Sequence, residues 1–355
     1  MGVTGLSYIY STATLSVLFA SLFGLKSIIN NRLQTRFLTV IIFSVCLWRI
    51  TFREVFGDTL RYVLRFKDMW NVDLKTALEL YNGDRLFLIF TWIIAKISHS
   101  QEVFLMLVGV LFLLYFYKFL SNIFTSTQLL FVMTSYSLYP FFVNYSTNTI
   151  RQGIAISLLL YAMTFYLNDK KEWRKTIIVL AASFLFHWSA LPFGIILIVM
   201  KMFELSLKTS LFICSITVFL YLLSMQTRIL APIINRIPKM DFYGTIGDGV
   251  NRSGNRMDFF IFTVFGIFAG LFLYKYLFRD SKYEKLIKIY ILFSSVFFLL
   301  GFIAYSDRIA AYSWFLLPII LWIPVFNQVK HRTMYSFLLL FSFVVVGFIT
   351  GILPG

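Results

Sequence analysis

Apolar runs of roughly 15 to 20 residues recur from one end of this 355-residue chain to the other, and runs of that length match the ~30 Å hydrocarbon core of a bilayer. A backbone in lipid must satisfy its own N–H and C=O groups, and these runs lack the strict alternation of barrel strands, so they are read as helices. With 59% hydrophobic and 14% charged residues, little is left over from which to build a soluble domain. The expected fold is therefore all-α: a polytopic integral membrane helical bundle forming one domain over residues 1–355.

Length and apolar continuity place about twelve spans, at 6–25, 37–51, 102–120, 128–143, 150–167, 175–188, 189–203, 209–226, 258–277, 286–304, 312–327 and 334–353. An even number puts both termini on one side. The first cation is Lys26, after the first run, so no signal-peptide basic region precedes it and the N-terminus is expected outside. Lysine-rich connectors around Lys26, Lys118, Lys170, Lys201, Lys275 and Lys330 then fall in the cytoplasm. This assignment requires residues 85–98, short for a span, to form a re-entrant or interfacial helix. If that segment crosses instead, either a basic loop lies outside or residues 175–203 form one span kinked at Pro192.

Two long connectors, 52–101 and 227–257, become outer-face loops, the second punctuated by Pro and Gly like a lid. The formal charge of +16 is no sign of nucleic acid, because positive residues gather in the cytoplasmic loops of any polytopic protein. Cys46 and Cys214 sit inside apolar runs as packing residues, and no metal or cofactor motif occurs. Nor is there a GxSxG, HExxH, P-loop or dinucleotide pattern to support hydrolase or nucleotide-dependent chemistry.

The outer face carries arginine where the inner carries lysine: Arg53, Arg61, Arg65, Arg85, Arg151, Arg228, Arg236, Arg252, Arg256 and Arg308. A planar fork that grips phosphate or carboxylate with two parallel hydrogen bonds explains that choice better than solubility does. Arg151 is central among them. It stands beside Gln152 and Gly153 at the start of a span, where helix N-H groups favour an anion, Asn148 can cap the helix and Gly153 admits a close neighbour. The bland alternative is an anchor snorkelling to lipid phosphates. His187 ends a short span at the same level and is either a general base, or a hydrogen-bond donor to a phosphate oxygen, or an interfacial histidine beside Trp188. Asp58, between Arg53 and Arg61, is either a base for a sugar hydroxyl or part of a solvated loop with local ion pairs. Asp307 and Arg308 either join this layer or neutralise each other.

The order Arg53, Gly57-Asp58-x-x-x-Tyr62, Asn148-x-x-Arg151-Gln152-Gly153-x-Ala155, His187-x-Ser189-Ala190-Leu191 and Asp307-Arg308 with Tyr312 resembles the EpsG-like members of the Wzy-type polysaccharide polymerases, over roughly residues 45–320. Where that family often has a Tyr-Glu-Pro-like stretch, this chain has Asn82-Gly83-Asp84-Arg85, which leaves any role of a glutamate there to Asp84. The resemblance implies a glycosyltransferase of the bacterial inner membrane, independent of metal and cofactor, in O-antigen, capsule or exopolysaccharide biosynthesis. It would move a growing glycan from undecaprenyl pyrophosphate to a sugar hydroxyl of an incoming lipid-linked repeat unit on the outer face. Its partners would be the lipid-linked oligosaccharide, membrane lipid and a chain-length regulator, with no nucleic acid.

On this reading Arg151, His187 and Asp58 are catalytic: Arg151, with Gln152 and Arg308, holds the donor pyrophosphate, and Asp58 or His187 takes the acceptor proton. Arg53, Arg61, Arg252 and Arg256 position the acceptor, and Tyr62, Asn148, Asp307 and Tyr312 complete the substrate-binding set. The alternative is a flippase for the same lipid-linked unit, which would show its arginines midway through the bundle.

Overall fold

A computed structural model describes residues 32–81, 83–169, 172–234, 254–327 and 332–352, and among them every regular element is helical. In chain order these are α1 (Arg32–Phe52), α2 (Gly57–Asp68), a 3-10 turn (Met69–Asn71), α3 (Leu74–Leu80), α4 (Arg85–Ile97), α5 (Gln101–Ser121), α6 (Ser126–Ser137), α7 (Pro140–Thr147), α8 (Ile150–Leu167) and α9 (Trp173–Phe186). A second 3-10 turn (Trp188–Ala190) leads to α10 (Leu191–Met202), α11 (Leu207–Leu222), α12 (Met225–Ile234), α13 (Met257–Tyr276), α14 (Ser281–Leu300), α15 (Asp307–Trp314), α16 (Leu317–Asn327) and α17 (Arg332–Ile349). The chain forms two compact units, residues 1–191 with 331–355 and residues 192–330.

In the first unit α8 is the central helix, packed on α5 and α9, while α1 packs on α5 and α6. Lipid tails are as apolar as leucine, so helices associate there through close fit and hydrogen bonds more than by expelling water. Both devices are present. A Cβ at Gly153 would stand 2.1 Å from the Tyr145 carbonyl oxygen, so only glycine lets α7 and α8 come this close. The Ser183 hydroxyl donates to the Ala155 carbonyl at 2.7 Å, tying α9 to α8.

The connector 52–101, expected as an outer-face loop, is folded into α2, α3, α4 and a 3-10 turn. Thr59, Tyr62, Val63 and Phe66 recur at helical spacing and form the buried face of α2, with Phe66 stacked on Phe104 of α5. The α4 helix covers the expected re-entrant or interfacial segment. Its 13 residues extend about 20 Å, short of the hydrocarbon core.

In the second unit α14 packs against α11, α13 and α15. Trp314 Nε1 donates to Thr263 Oγ1 at 2.9 Å, and Tyr283 donates to the Ile320 carbonyl at 3.0 Å, so these two buried donors are satisfied between helices. Ile261, Phe265, Phe268 and Phe272 form an exposed apolar stripe along α13, the face a lipid-contacting helix requires.

Among the described residues five helices are long and apolar enough to cross a membrane: Leu33–Phe52, Gln101–Ser121, Ile150–Leu167, Met257–Tyr276 and Asp307–Asn327. A sixth span arises if α11 and α12, bent by 90°, are one broken crossing. The chain is thus a multi-pass membrane protein, but helix length and apolarity alone do not reach twelve. The expected span 128–143 is broken between Ser137 and Pro140, because a proline ring cannot continue a helix at that point. The 175–188 and 189–203 pair is split at His187, which is extended at φ −160°, ψ 121°. The expected span 6–25 lies outside the described residues.

Candidate functional site

Arg151 lies in the first turn of α8, His187 just beyond the last turn of α9, and Asp84 just before the first turn of α4. The fold of the first unit brings these three termini together. Asp84 Oδ2 accepts from Arg151 Nη1 at 2.8 Å and lies 3.1 Å from His187 Nδ1, while Asp84 Oδ1 accepts from the Trp188 N–H at 3.2 Å. One carboxylate thus holds a guanidinium, an imidazole and a backbone amide.

The side chains of Asp84 and His187 are each 7% exposed and that of Arg151 is 23% exposed, so the cation keeps the widest access to solvent. Burial pushes the Asp84 carboxyl up, but its hydrogen bond with His187, the charges of His187 and Arg151 and the Trp188 N–H outweigh burial and hold it below the ordinary carboxylate value. When His187 is neutral, the contact is satisfied by the tautomer that donates from Nδ1, and Nε2 then carries the lone pair.

Tyr62 closes another side of Arg151. Its hydroxyl accepts from Arg151 Nε at 3.1 Å, and its ring centroid lies 5.0 Å from the guanidinium carbon. Tyr62, Arg151 and His187, all singled out from the sequence, are therefore joined in one cluster. Asp84, mentioned there only as a stand-in for a glutamate, turns out to be its hub. Sequence separations of 67 and 103 residues hide that role. The available signal was a carboxylate placed immediately before a short apolar helix.

Asn148 does not cap α8. It is the C-cap of α7, and Thr149 is the N-cap of α8. The Asn148 side chain is engaged across the chain instead, where its Oδ1 accepts the Asp58 N–H at 3.1 Å. Gly57 has φ +59°, and a Cβ there would meet Asn148 Oδ1 at 2.9 Å, so the Gly57-Asp58 pair is fitted to Asn148. Thr59 donates to the Thr147 carbonyl at 2.6 Å and fastens the same loop.

Arg53 donates to Thr59 Oγ1 at 3.4 Å and to the Ile50 carbonyl, and burial pulls it down to about 9. Arg61 is exposed, whereas Gln152 is fully buried within α8.

The remaining expected residues belong to the second unit. Arg256 pairs with Asp258 through Nε at 2.8 Å and through Nη2, and lies over the Phe259 ring. Arg308 lies 4.5 Å from the Tyr305 ring centroid, beside Asp307 at the start of α15. Tyr312 is fully buried and stacked on Phe193 at 4.0 Å. Arg252 lies outside the described residues. Among the described residues no three His, Cys, Asp or Glu side chains gather as metal ligands.

Fold and site together define a multi-pass helical membrane protein with a buried carboxylate joining an arginine to a histidine. The EpsG family model matches residues 9–352, nearly the whole chain, and the chain belongs to the EpsG family, a family of Wzy-like polymerases and glycosyltransferases. No curated protein and no solved structure matches it.

Proposed function

We propose that the protein extends a polysaccharide by transferring a growing glycan from undecaprenyl pyrophosphate to a sugar hydroxyl of an incoming lipid-linked repeat unit, on the outer face of a bacterial inner membrane crossed by about twelve spans. The observation that carries this reading is the single Asp84 oxygen shared by Arg151 and His187. It sets a phosphate-binding group and a proton acceptor side by side, the two functions that the reaction requires.

The acceptor O–H gives its proton to His187 Nε2, and its oxygen forms a bond to the anomeric carbon of the donor glycan. The bond from that carbon to the pyrophosphate oxygen breaks, and the leaving lipid pyrophosphate keeps the electron pair. Charge therefore grows on the pyrophosphate as the bond breaks, and a guanidinium already held by Tyr62 and Asp84 stabilises it without reorganising. Asp84 stabilises the imidazolium that forms and fixes the tautomer that precedes it. His187 is favoured over Asp58 as the base because of this carboxylate. The guanidinium supplies the electrostatic stabilisation, so the step is proposed to be metal-independent.

Cells lacking the protein separate this reading from a flippase. A polymerase-deficient strain exports single repeat units and makes no long chains. Accumulation of the lipid-linked unit on the inner leaflet would instead identify a transporter.

A further inference from the structure

Arg65 projects from α2 toward the same cluster. Its guanidinium carbon lies 4.9 Å from the centroid of the Tyr81 ring, and the Tyr81 hydroxyl is engaged by donating to Asp68 at 3.0 Å. Among the described residues no carboxylate lies within ion-pair distance of Arg65, although the residue is half-buried. A Cβ built on Gly83 would stand 3.4 Å from Arg65 Nη1 and 3.7 Å from Arg151 Nη1, so two like charges reach the same bare stretch of backbone. Arg151 acts against the charged form of Arg65, and Asp84 is the carboxylate that acts in its favour. Two guanidinium charges thus face one carboxylate that is already committed to Arg151 and His187. The Arg65 and Arg151 heads thus meet over a residue that carries no side chain.

We infer that Arg65 and Arg151 are the two arms of a pyrophosphate site, with Gly83 kept bare so that phosphate oxygens can approach both guanidinium groups. The inference rests on the polymerase reading and deepens it by naming the second arm. Two forks match the two linked phosphates of a lipid pyrophosphate, each of which keeps a negative charge as a diester. A single phosphate needs only one of them. Gly83 then sets the preference by leaving room: a methyl group there would occupy the point on which the two heads converge.

The test measures binding of undecaprenyl pyrophosphate and of undecaprenyl phosphate to the full chain in nanodiscs of zwitterionic lipid, with a further series in discs containing phosphatidylglycerol. Parent protein, Arg65→Gln, Arg65→Lys, Gly83→Ala and Arg151→Gln are compared, with thermal unfolding as the check on folding. The expected result is that Arg65→Gln weakens pyrophosphate binding about ten- to a hundredfold, the loss of one charge-assisted pair of hydrogen bonds, and weakens monophosphate binding less. Gly83→Ala, which keeps both arginines, reduces the same preference, and Arg65→Lys restores part of it.

The inference is overturned if Arg65→Gln and Gly83→Ala bind pyrophosphate as the parent does while Arg151→Gln does not, an outcome that leaves the polymerase reading standing. A parent protein that binds no undecaprenyl pyrophosphate overturns both. Displacement of the pyrophosphate by phosphatidylglycerol at equal strength would assign the two arginines to bilayer headgroups and also overturn it.

Discussion

Two arginine–aspartate pairs among the described residues have opposite character. Arg151–Asp84 joins residues 67 apart, with the carboxylate 7% exposed and bonded also to His187 and the Trp188 N–H. Arg256–Asp258 joins neighbours two residues apart, with the carboxylate side chain 58% exposed. Both look alike as charge pairs, but their physics differs. An exposed pair gains little from water at high dielectric and forms locally whatever the fold does. The Arg151–Asp84 pair exists only because three helix ends converge, and removing Arg151 strands a carboxylate that has little solvent of its own. Only the first therefore reports on the tertiary structure, and only the first can hold a reactive geometry in place.

The largest expected effect follows from Asp84→Ala. It leaves Arg151 and His187 without their shared acceptor, at a cost of about 3–5 kcal/mol, and long-chain glycan is lost. Thermal unfolding in detergent and polymer-length gels check the two effects. Arg151→Lys is next. Lysine offers a point charge where Arg151 reaches Asp84 and Tyr62 through separate nitrogens, so polymerisation should fall about ten- to a hundredfold while the protein stays inserted. Near-parental chains from this variant would reduce the pair to a simple anchor.

The legibility of these features in the sequence divides along the same line between local and long-range order. The span 150–167 could be placed because the apolar run after Arg151-Gln152 continues to Leu167, and α8 spans Ile150–Leu167. Arg151 and His187 could be singled out because an ionisable group at the edge of an apolar run is costly. Asp84 could not be made their hub, since nothing local to Asn82-Gly83-Asp84 specifies which helix ends will meet it. The helical character of 57–68 was available in the spacing of Thr59, Tyr62, Val63 and Phe66 but was masked by the arginines among them. The break before Pro140 shows the converse: composition gave an apolar run, whereas one proline divided it.

Acidity gives a smaller and more selective effect. The Asp84 carboxyl is held below its ordinary value of 3.8, so its contribution to stability is present above that value and is lost as the pH falls through the lower folded value. Thermal unfolding followed downward from pH 7 should stay level with respect to this group until about pH 4 and decline below it, and the corresponding decline should be missing in Asp84→Asn. The smallest effect belongs to the other pair. Asp258→Ala removes an exposed ion pair and should cost less than about 1 kcal/mol in the same unfolding assay. A loss equal to that of Asp84→Ala would erase the distinction between the two pairs.

The central claim is that Arg151, Asp84 and His187 act as one chemical unit. The most direct measurement supplies purified lipid-linked repeat unit to the parent and to Arg151→Ala, Asp84→Asn and His187→Ala proteins in membranes and reads the length distribution of the glycan. The account predicts a ladder of long chains from the parent and single units from all three variants, each still inserted. Long chains from Asp84→Asn or His187→Ala at the parental rate would contradict it.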